Sequence, residues 1–230
     1  MKAPILIVAL SVPPDKEADF NEFYQHQFLP RVIDETPEFV RVVRYEEFAV
    51  GGTLRWYNKQ YFTIYELSSE DAIAGCDSFF GRPAVADVVK EFRRWKDEHL
   101  KNFSRIAYKP GWAHRRQSQL AGAPWMFLWQ LEMKPDLDAA FQTWYQDEYL
   151  PLQVADIGWS GCHRYESVGK DPLRHLTMFE AADEAALSRC LTDLRSAHRI
   201  SENYRWQERV EPAVTWHDAT SFKPVYRWPD

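Results

Sequence analysis

The chain has 230 residues, 45% hydrophobic and 27% charged, which supports a sizeable core in one or two domains. Lys and Arg number 28 against 34 Asp and Glu, a net charge of −6. No block of about five like charges occurs, which argues against an electrostatic grip on nucleic acid or anionic lipid. No apolar stretch reaches the ~18 residues of a membrane span. Three cysteines, Cys76, Cys162 and Cys190, make no disulfide framework and point to a reducing, cytoplasmic setting.

In chain order, Ile5 to Val12 is rich in β-formers and reads as a strand. Lys2 ahead of this run has the look of a leader peptide, but the run is short and lacks a small-residue cleavage site. Asp15 to Leu29 carries a helical stripe at Phe20, Phe23, Tyr24, Gln27 and Phe28, and Pro30 stands near its end. Val40 to Phe48 and Gln60 to Leu67 form a strand pair around Gly51-Gly52, which lacks a phosphate-loop pattern and reads as a turn. Ser69-Glu70-Asp71 opens a helical region. A longer helix starts at Pro83, with a stripe at Val85, Val88, Val89, Phe92, Trp95 and His99. Ser104 to Tyr108 reads as a strand.

The same order then returns. Ala3-Pro4 matches Ala123-Pro124, and Phe20 to Pro30 matches Phe141 to Pro151. Arg44-Tyr45-Glu46 matches Arg164-Tyr165-Glu166, and Tyr61 to Glu66 matches His175 to Glu180. Cys76 falls on Cys190, and Lys109-Pro110 on Lys223-Pro224. This is the signature of a tandem duplication. The units are residues 1–112 and 123–230, and the polar segment 113–122 is the expected linker. In the second unit the matching strands are Trp125 to Met133, Gly161 to Ser167, Arg174 to Ala181 and Ala219 to Phe222. The fold expected is α+β, two βαββαβ ferredoxin-like units forming a barrel within one chain. The aromatic tail around Tyr226 and Trp228 offers a surface for further homo-oligomerisation.

The motif Phe-x-x-Trp/Tyr-Tyr-x-x-Glu-x-Leu-Pro, followed by Arg-Tyr-Glu, resembles the dimeric α+β barrel superfamily. The nearest groups are EthD-type and antibiotic-biosynthesis-monooxygenase-like proteins. The resemblance covers both repeats. It implies cofactor-independent monooxygenases, cyclases of polyketide-like chains or muconolactone-type isomerases as the range of activities. The related chlorite-dismutase-like branch carries two such units per chain and binds haem. By that analogy alone His198 and His217 are haem-ligand candidates. The family helix commonly ends Tyr-x-x-Glu-His-Leu-Pro. Here its Glu survives only as Glu148, with Gln27 in the first unit, and its His is replaced by Phe28 and Tyr149. No mechanism using that His carries over. His26 stands off the apolar stripe.

The differences between the repeats mark the candidate site. His163 stands where the first unit has Val43, His175 where it has Tyr61, and Glu148 where it has Gln27. A hairpin turning near Gly169-Lys170 would set His163 opposite His175 on one sheet face with Tyr165. Cys162, Arg164, Leu176 and Met178 would then share the other face. Glu148, two turns after Phe141, would point inward from the helix. Three readings compete. Glu148, His163, His175 and Tyr165 form a proton-transfer site with no organic cofactor, acting on a small apolar or aromatic carbonyl or phenolic compound as an isomerase, cyclase or lyase. Glu148 and the histidines bind a metal, although no compact motif supports this. Or the histidines only hydrogen-bond within the barrel while Glu148 meets Arg164, leaving a binding or structural protein. The matched Arg and Glu residues read as cross-strand pairs, Arg44 with Glu66 and Arg164 with Glu180. Cys76 and Cys190 read as small core residues. Cys162 faces away from its neighbour His163. The unmatched rings Trp125 and Trp129 stand beside the sheet that gained the histidines.

Overall fold

A computed structural model describes residues 3–49, 58–114, 122–194, 196, 207–208 and 210–229. The expected Gly51-Gly52 turn, linker residues 115–121 and His198 lie outside the described residues. The first set of elements is β1 (Ile5–Val12), α1 (Glu17–Phe23), a π turn (Tyr24–Phe28), α2 (Leu29–Asp34), β2 (Phe39–Glu47), β3 (Lys59–Leu67), α3 (Ala72–Ser78), α4 (Ala86–Glu98) and β4 (Lys101–His114). The second is β5 (Trp125–Met133), α5 (Pro135–Trp144), a π turn (Tyr145–Tyr149), α6 (Leu150–Ile157), β6 (Gly161–Ser167), β7 (Arg174–Ala181), α7 (Glu184–Leu194) and β8 (Val214–Trp228). The described strands close into an antiparallel barrel in the order β1-β3-β2-β8-β5-β7-β6-β4, the α+β barrel expected from the sequence. Among the described residues no helix is long and apolar enough to cross a membrane.

By contacts the chain divides into two compact units. Unit 1 comprises Met1–Glu47, Leu54–Lys109 and Pro224–Asp230, and unit 2 comprises Phe48–Thr53 and Pro110–Lys223. The last strands run longer than the sequence pattern suggests and pass through Pro110 and Pro224, which stand inside β4 and β8. A proline removes one ladder N–H but is otherwise compatible with extended chain at an interrupted pairing.

In unit 1, β1 pairs with both β3 and β4, and β3 with β2. Alternation along β1 sends Leu6, Val8, Leu10 and Val12 to the face covered by helices, where they meet Phe20, Phe23, Phe28 and Val32. Helix α4 adds Val88, Val89 and Phe92 to this core. The Phe92 ring stacks on Phe28 at 4.8 Å. Tyr226 and Trp228 pack against the same core, so the expected exposed aromatic tail is half-buried within unit 1.

Unit 2 repeats the plan, with β7 between β5 and β6 and β8 on the other side of β5. Leu131 and Met133 of β5 meet Phe141, Tyr145, Leu150 and Val154 in its core. Cys162, Cys190 and Phe179 belong to the same cluster. Cys76 is likewise buried in unit 1, and none of the three cysteines is in a disulfide.

Both units place the π turn in the first helical arm, and it changes which side chains face inward. In an unbroken α-helix, position 148 would return to the face of Phe141. The widened turn adds a residue and rotates the next helical segment by roughly 100°. Tyr149 and Phe28 therefore take the inward places, while Glu148 and Gln27 are exposed. This corrects the expectation that both belong to the apolar stripe.

Each unit also buries an arginine between its sheet and that helical arm. Arg44 donates to Oδ1 of Asn21 at 2.8 Å, and its guanidinium lies 4.8 Å from the Tyr24 ring centre. Arg164 donates to Oε1 of Gln142 and lies 4.7 Å from the Tyr145 ring centre. Tyr24 and Tyr145 stand over Thr63 and Thr177, which lie directly across from the two arginines in the strand register. The expected Arg–Glu cross-strand pairs are thus replaced by arginine–amide and arginine–ring contacts. Glu66 pairs instead with Arg41. Arginine suits this place because its planar, weakly hydrated cation stacks on aromatic rings.

Beside these arginines each unit sets an acid against the start of its third strand. The Tyr61 hydroxyl donates to Oε1 of Glu17 at 2.6 Å in unit 1. In unit 2 the Nε2 of His175 lies 2.9 Å from Oδ1 of Asp138. Burial by itself would raise the Asp138 carboxyl. The hydrogen bonds from His175 and Gln142, with the charges of His175 and Arg164, outweigh it and hold the group below the ordinary aspartate value.

Two contacts carry consequences for stability. Phe92→Ala removes the ring that stacks on Phe28 and should cost about 3–5 kcal/mol in chemical denaturation. A depressed folded-state pKa contributes stability above the unfolded value and loses it as pH falls through the lowered value. Asp138→Asn should therefore melt below the native chain at pH 7, and the two melting temperatures should converge as pH falls below about 3.9.

Candidate functional site

Unit 2 contains a cavity of about 260 Å³ between its sheet and its helices. The register builds the sheet wall. Phe127 pairs with Phe179 on β7, and Trp129 pairs with Ala219 on β8, so alternate side chains of three strands reach one face. His217 of β8 joins them. The opposite wall is Tyr145, Tyr149 and Gln153, from the π turn and α6, with Leu194 and Val210 beside them. Gly158 ends α6 in the left-handed conformation, at φ 84°, and the next residue, Trp159, enters the wall.

The rings hold one another in place. Tyr145 meets Trp129 edge-on with centroids 5.6 Å apart and stacks on Tyr149 at 5.4 Å. Trp159 lies 5.2 Å from Phe179 and stacks on Phe127 at 6.3 Å. The Tyr145 hydroxyl donates to Oγ1 of Thr177 at 3.4 Å, and burial pushes its pKa well above the ordinary tyrosine value. Unit 1 is packed at the matching positions, where Phe28 is 2% and Val32 0% exposed. An apolar, ring-lined hollow with few polar groups is the usual form of a small-molecule site.

The structure separates the side chains that the sequence grouped. His163 lies across from Met178, and His175 across from Glu166, so the two histidines occupy opposite faces of the sheet. The turn is centred nearer Lys170-Asp171 than Gly169, a displacement that changes the pairing by an odd number of residues and exchanges the faces. Tyr165 and His163 share their face with Leu176 and Met178, whereas Cys162 and Arg164 share theirs with His175 and Thr177. Cys162 and His163 do face opposite ways. Glu148 is exposed on the π turn. None of Glu148, His163, His175 and Tyr165 is among the cavity-lining residues.

His163 and His175 instead have separate carboxylate neighbours. His163 is 1% exposed, and its Nε2 is 3.7 Å from Oε1 of the buried Glu180. A Cβ at Gly161 would stand 2.7 Å from Oε2 of Glu180, so glycine there leaves room for the carboxylate. His175 faces Asp138. Among the described residues no three His, Cys, Asp or Glu groups converge to hold a metal ion.

Haem, implied by the chlorite-dismutase-like branch, does not fit the described residues. The cavity is smaller than the roughly 300–1,000 Å³ of drug-sized sites. The imidazole in its wall, His217, is exposed on β8. Tyr145 is already engaged with Thr177 and stacked on Tyr149.

Sequence reasoning missed most of this site. Trp129 was visible as an unmatched ring. Gln153 carried a signal too: it stands where unit 1 has Val32, on the inward stripe Leu150, Gln153, Val154, Ile157 of α6. His217 was singled out only by analogy, and it occupies the cavity wall.

No family model matches the sequence, and no curated protein matches it. Solved structures do match it over nearly its whole length. An anthrone oxidase-like protein superposes with a TM-score of 0.71 at 7% identity, covering 98% of this chain and 92% of that one. A provisionally assigned monooxygenase from Fusobacterium nucleatum subsp. nucleatum gives 0.62 at 9% identity, covering 98% and 94%. A provisionally assigned chlorite dismutase gives 0.50 at 13% identity, covering 97% and 96%. At these identities the likeness is one of fold, and the fold is the ferredoxin-like α+β barrel.

Proposed function

We propose that unit 2 is an enzyme domain whose cavity takes a small, flat, largely apolar carbonyl or phenolic compound. The observation that carries this reading is the ring-lined hollow in one repeat at positions that are packed in the other. Its planar walls suit an aromatic ligand, since offset and edge-to-face ring contacts add to apolar burial.

The chemistry proposed is proton transfer without an organic cofactor. His217 is the wall residue able both to take and to give a proton, and its exposed position on β8 connects it with solvent. A ketone whose C–H is acidified by a neighbouring ring would lose that proton to the imidazole, leaving an enolate and an imidazolium. The return of the proton at another atom is an isomerisation. Among the fold neighbours, the name anthrone oxidase-like points to an aromatic ketone of this shape, and it supports the choice of test compound. Glu148, His163, His175 and Tyr165 are assigned no proton-transfer role in this scheme, because they do not line the cavity. A ligand-binding protein without catalysis is the reading left if binding occurs and turnover does not.

Binding is read from tryptophan fluorescence, since Trp129 and Trp159 line the cavity. Titration with 2-naphthol should quench the native chain, and Ala219→Leu, which fills the sheet wall, should abolish the quenching without lowering the melting temperature. Turnover is read by NMR as deuterium entry at the methylene carbon of anthrone. The native chain should accelerate exchange over buffer, and His217→Ala should lose about 10²-fold or more of that acceleration. An equal rate in the His217→Ala chain would remove His217 from the mechanism.

A further inference from the structure

Gln153 is the residue that stands out in the cavity wall. It is 3% exposed, it lies on the inward stripe of α6, and it lines an otherwise largely apolar hollow. The matching position in unit 1 is Val32, fully buried in an apolar core. The neighbouring matches keep their character: Leu29 with Leu150, Pro30 with Pro151 and Ile33 with Val154. Unit 1 thus carries an apolar side chain at the matching point of the helix. Burying an amide is costly unless its hydrogen-bonding capacity is used.

We propose that Gln153 is the specificity-determining residue of the cavity, hydrogen-bonding an oxygen on the inner edge of an aromatic ligand. The inference rests on the small-molecule reading of the cavity and narrows it. The ligand class becomes aromatic ketones or phenols whose oxygen is carried toward α6, opposite the sheet wall that includes His217. An amide presents two N–H donors and a carbonyl acceptor, so it can serve a ketone or a hydroxyl while keeping contacts to protein. The other polar groups divide the remaining work. The Tyr145 hydroxyl is committed to Thr177, and His217 sits on the exposed strand. A wall that hydrogen-bonds a ligand oxygen discriminates against the analogue that lacks it, because that contact is then lost.

The test compares 2-naphthol with naphthalene, which differ by the hydroxyl alone, by tryptophan fluorescence titration of the full chain. In the native chain 2-naphthol should bind about tenfold more tightly than naphthalene, the value of one good hydrogen bond. Gln153→Leu should weaken 2-naphthol by about tenfold and leave naphthalene within about twofold, so that the preference disappears. Gln153→Met, of similar length, should give the same loss of preference and serves if the Leu variant does not fold. Retention of the preference in a folded variant, or equal weakening of both probes, overturns the role of Gln153 while leaving the cavity reading intact. Failure of both probes to bind the native chain overturns the cavity reading, and this inference falls with it.

Discussion

The seating of Tyr145 on Arg164 and Thr177 is the contact on which the rest of unit 2 depends. A buried guanidinium on β6 holds one side of the ring, and a strand hydroxyl on β7 receives its phenol proton. Trp129 closes on it edge-on from β5. These contacts fix the helical arm over the sheet at the π turn, and that register decides which side chains of α6 look inward. Because a charge buried without partners is expensive, the arrangement resists piecemeal change. Unit 1 has the same seat, with Tyr24 over Arg44 and Thr63, which identifies it as part of the fold rather than of one site.

The two units share this seat and differ above it. In unit 1 an aliphatic β1 and the Phe92 ring of α4 complete a packed core. In unit 2 the corresponding strand carries Phe127 and Trp129, and the helical arm carries Tyr149 and Gln153 in place of Phe28 and Val32. Large flat rings held against one another by edge and face contacts line a cavity here. In this wall the repeats thus differ in shape and in one amide, and the ionisable replacements that first draw attention stand outside it.

Those replacements explain where sequence reasoning succeeded and where it failed. The repeat, the element order and the barrel were legible because matched blocks such as Phe20 to Pro30 and Phe141 to Pro151 carry both periodicity and order. The facing of Cys162 away from His163 followed from strand alternation alone. The placement of Glu148 was not legible, because a π turn leaves no mark in a hydrophobic stripe that still looks α-helical over one or two turns. The histidine pair failed for a related reason. The side-chain period in a strand is two, so a small error in locating the turn between β6 and β7 sends His175 to the opposite face from His163. His217 and Gln153 became meaningful only once long-range strand pairing and the rotation after the π turn placed them in facing walls of one cavity.

The proposed chemistry requires that ligands reach the aromatic cavity of unit 2. That requirement is tested most directly by following the indole N–H signals during a 2-naphthol titration by NMR. Saturable shifts are expected for Trp129 and Trp159, which line the cavity, with Trp95 unmoved because it packs against the core of unit 1. Shifts centred on Trp95, or no saturable shift of Trp129 and Trp159, would contradict it.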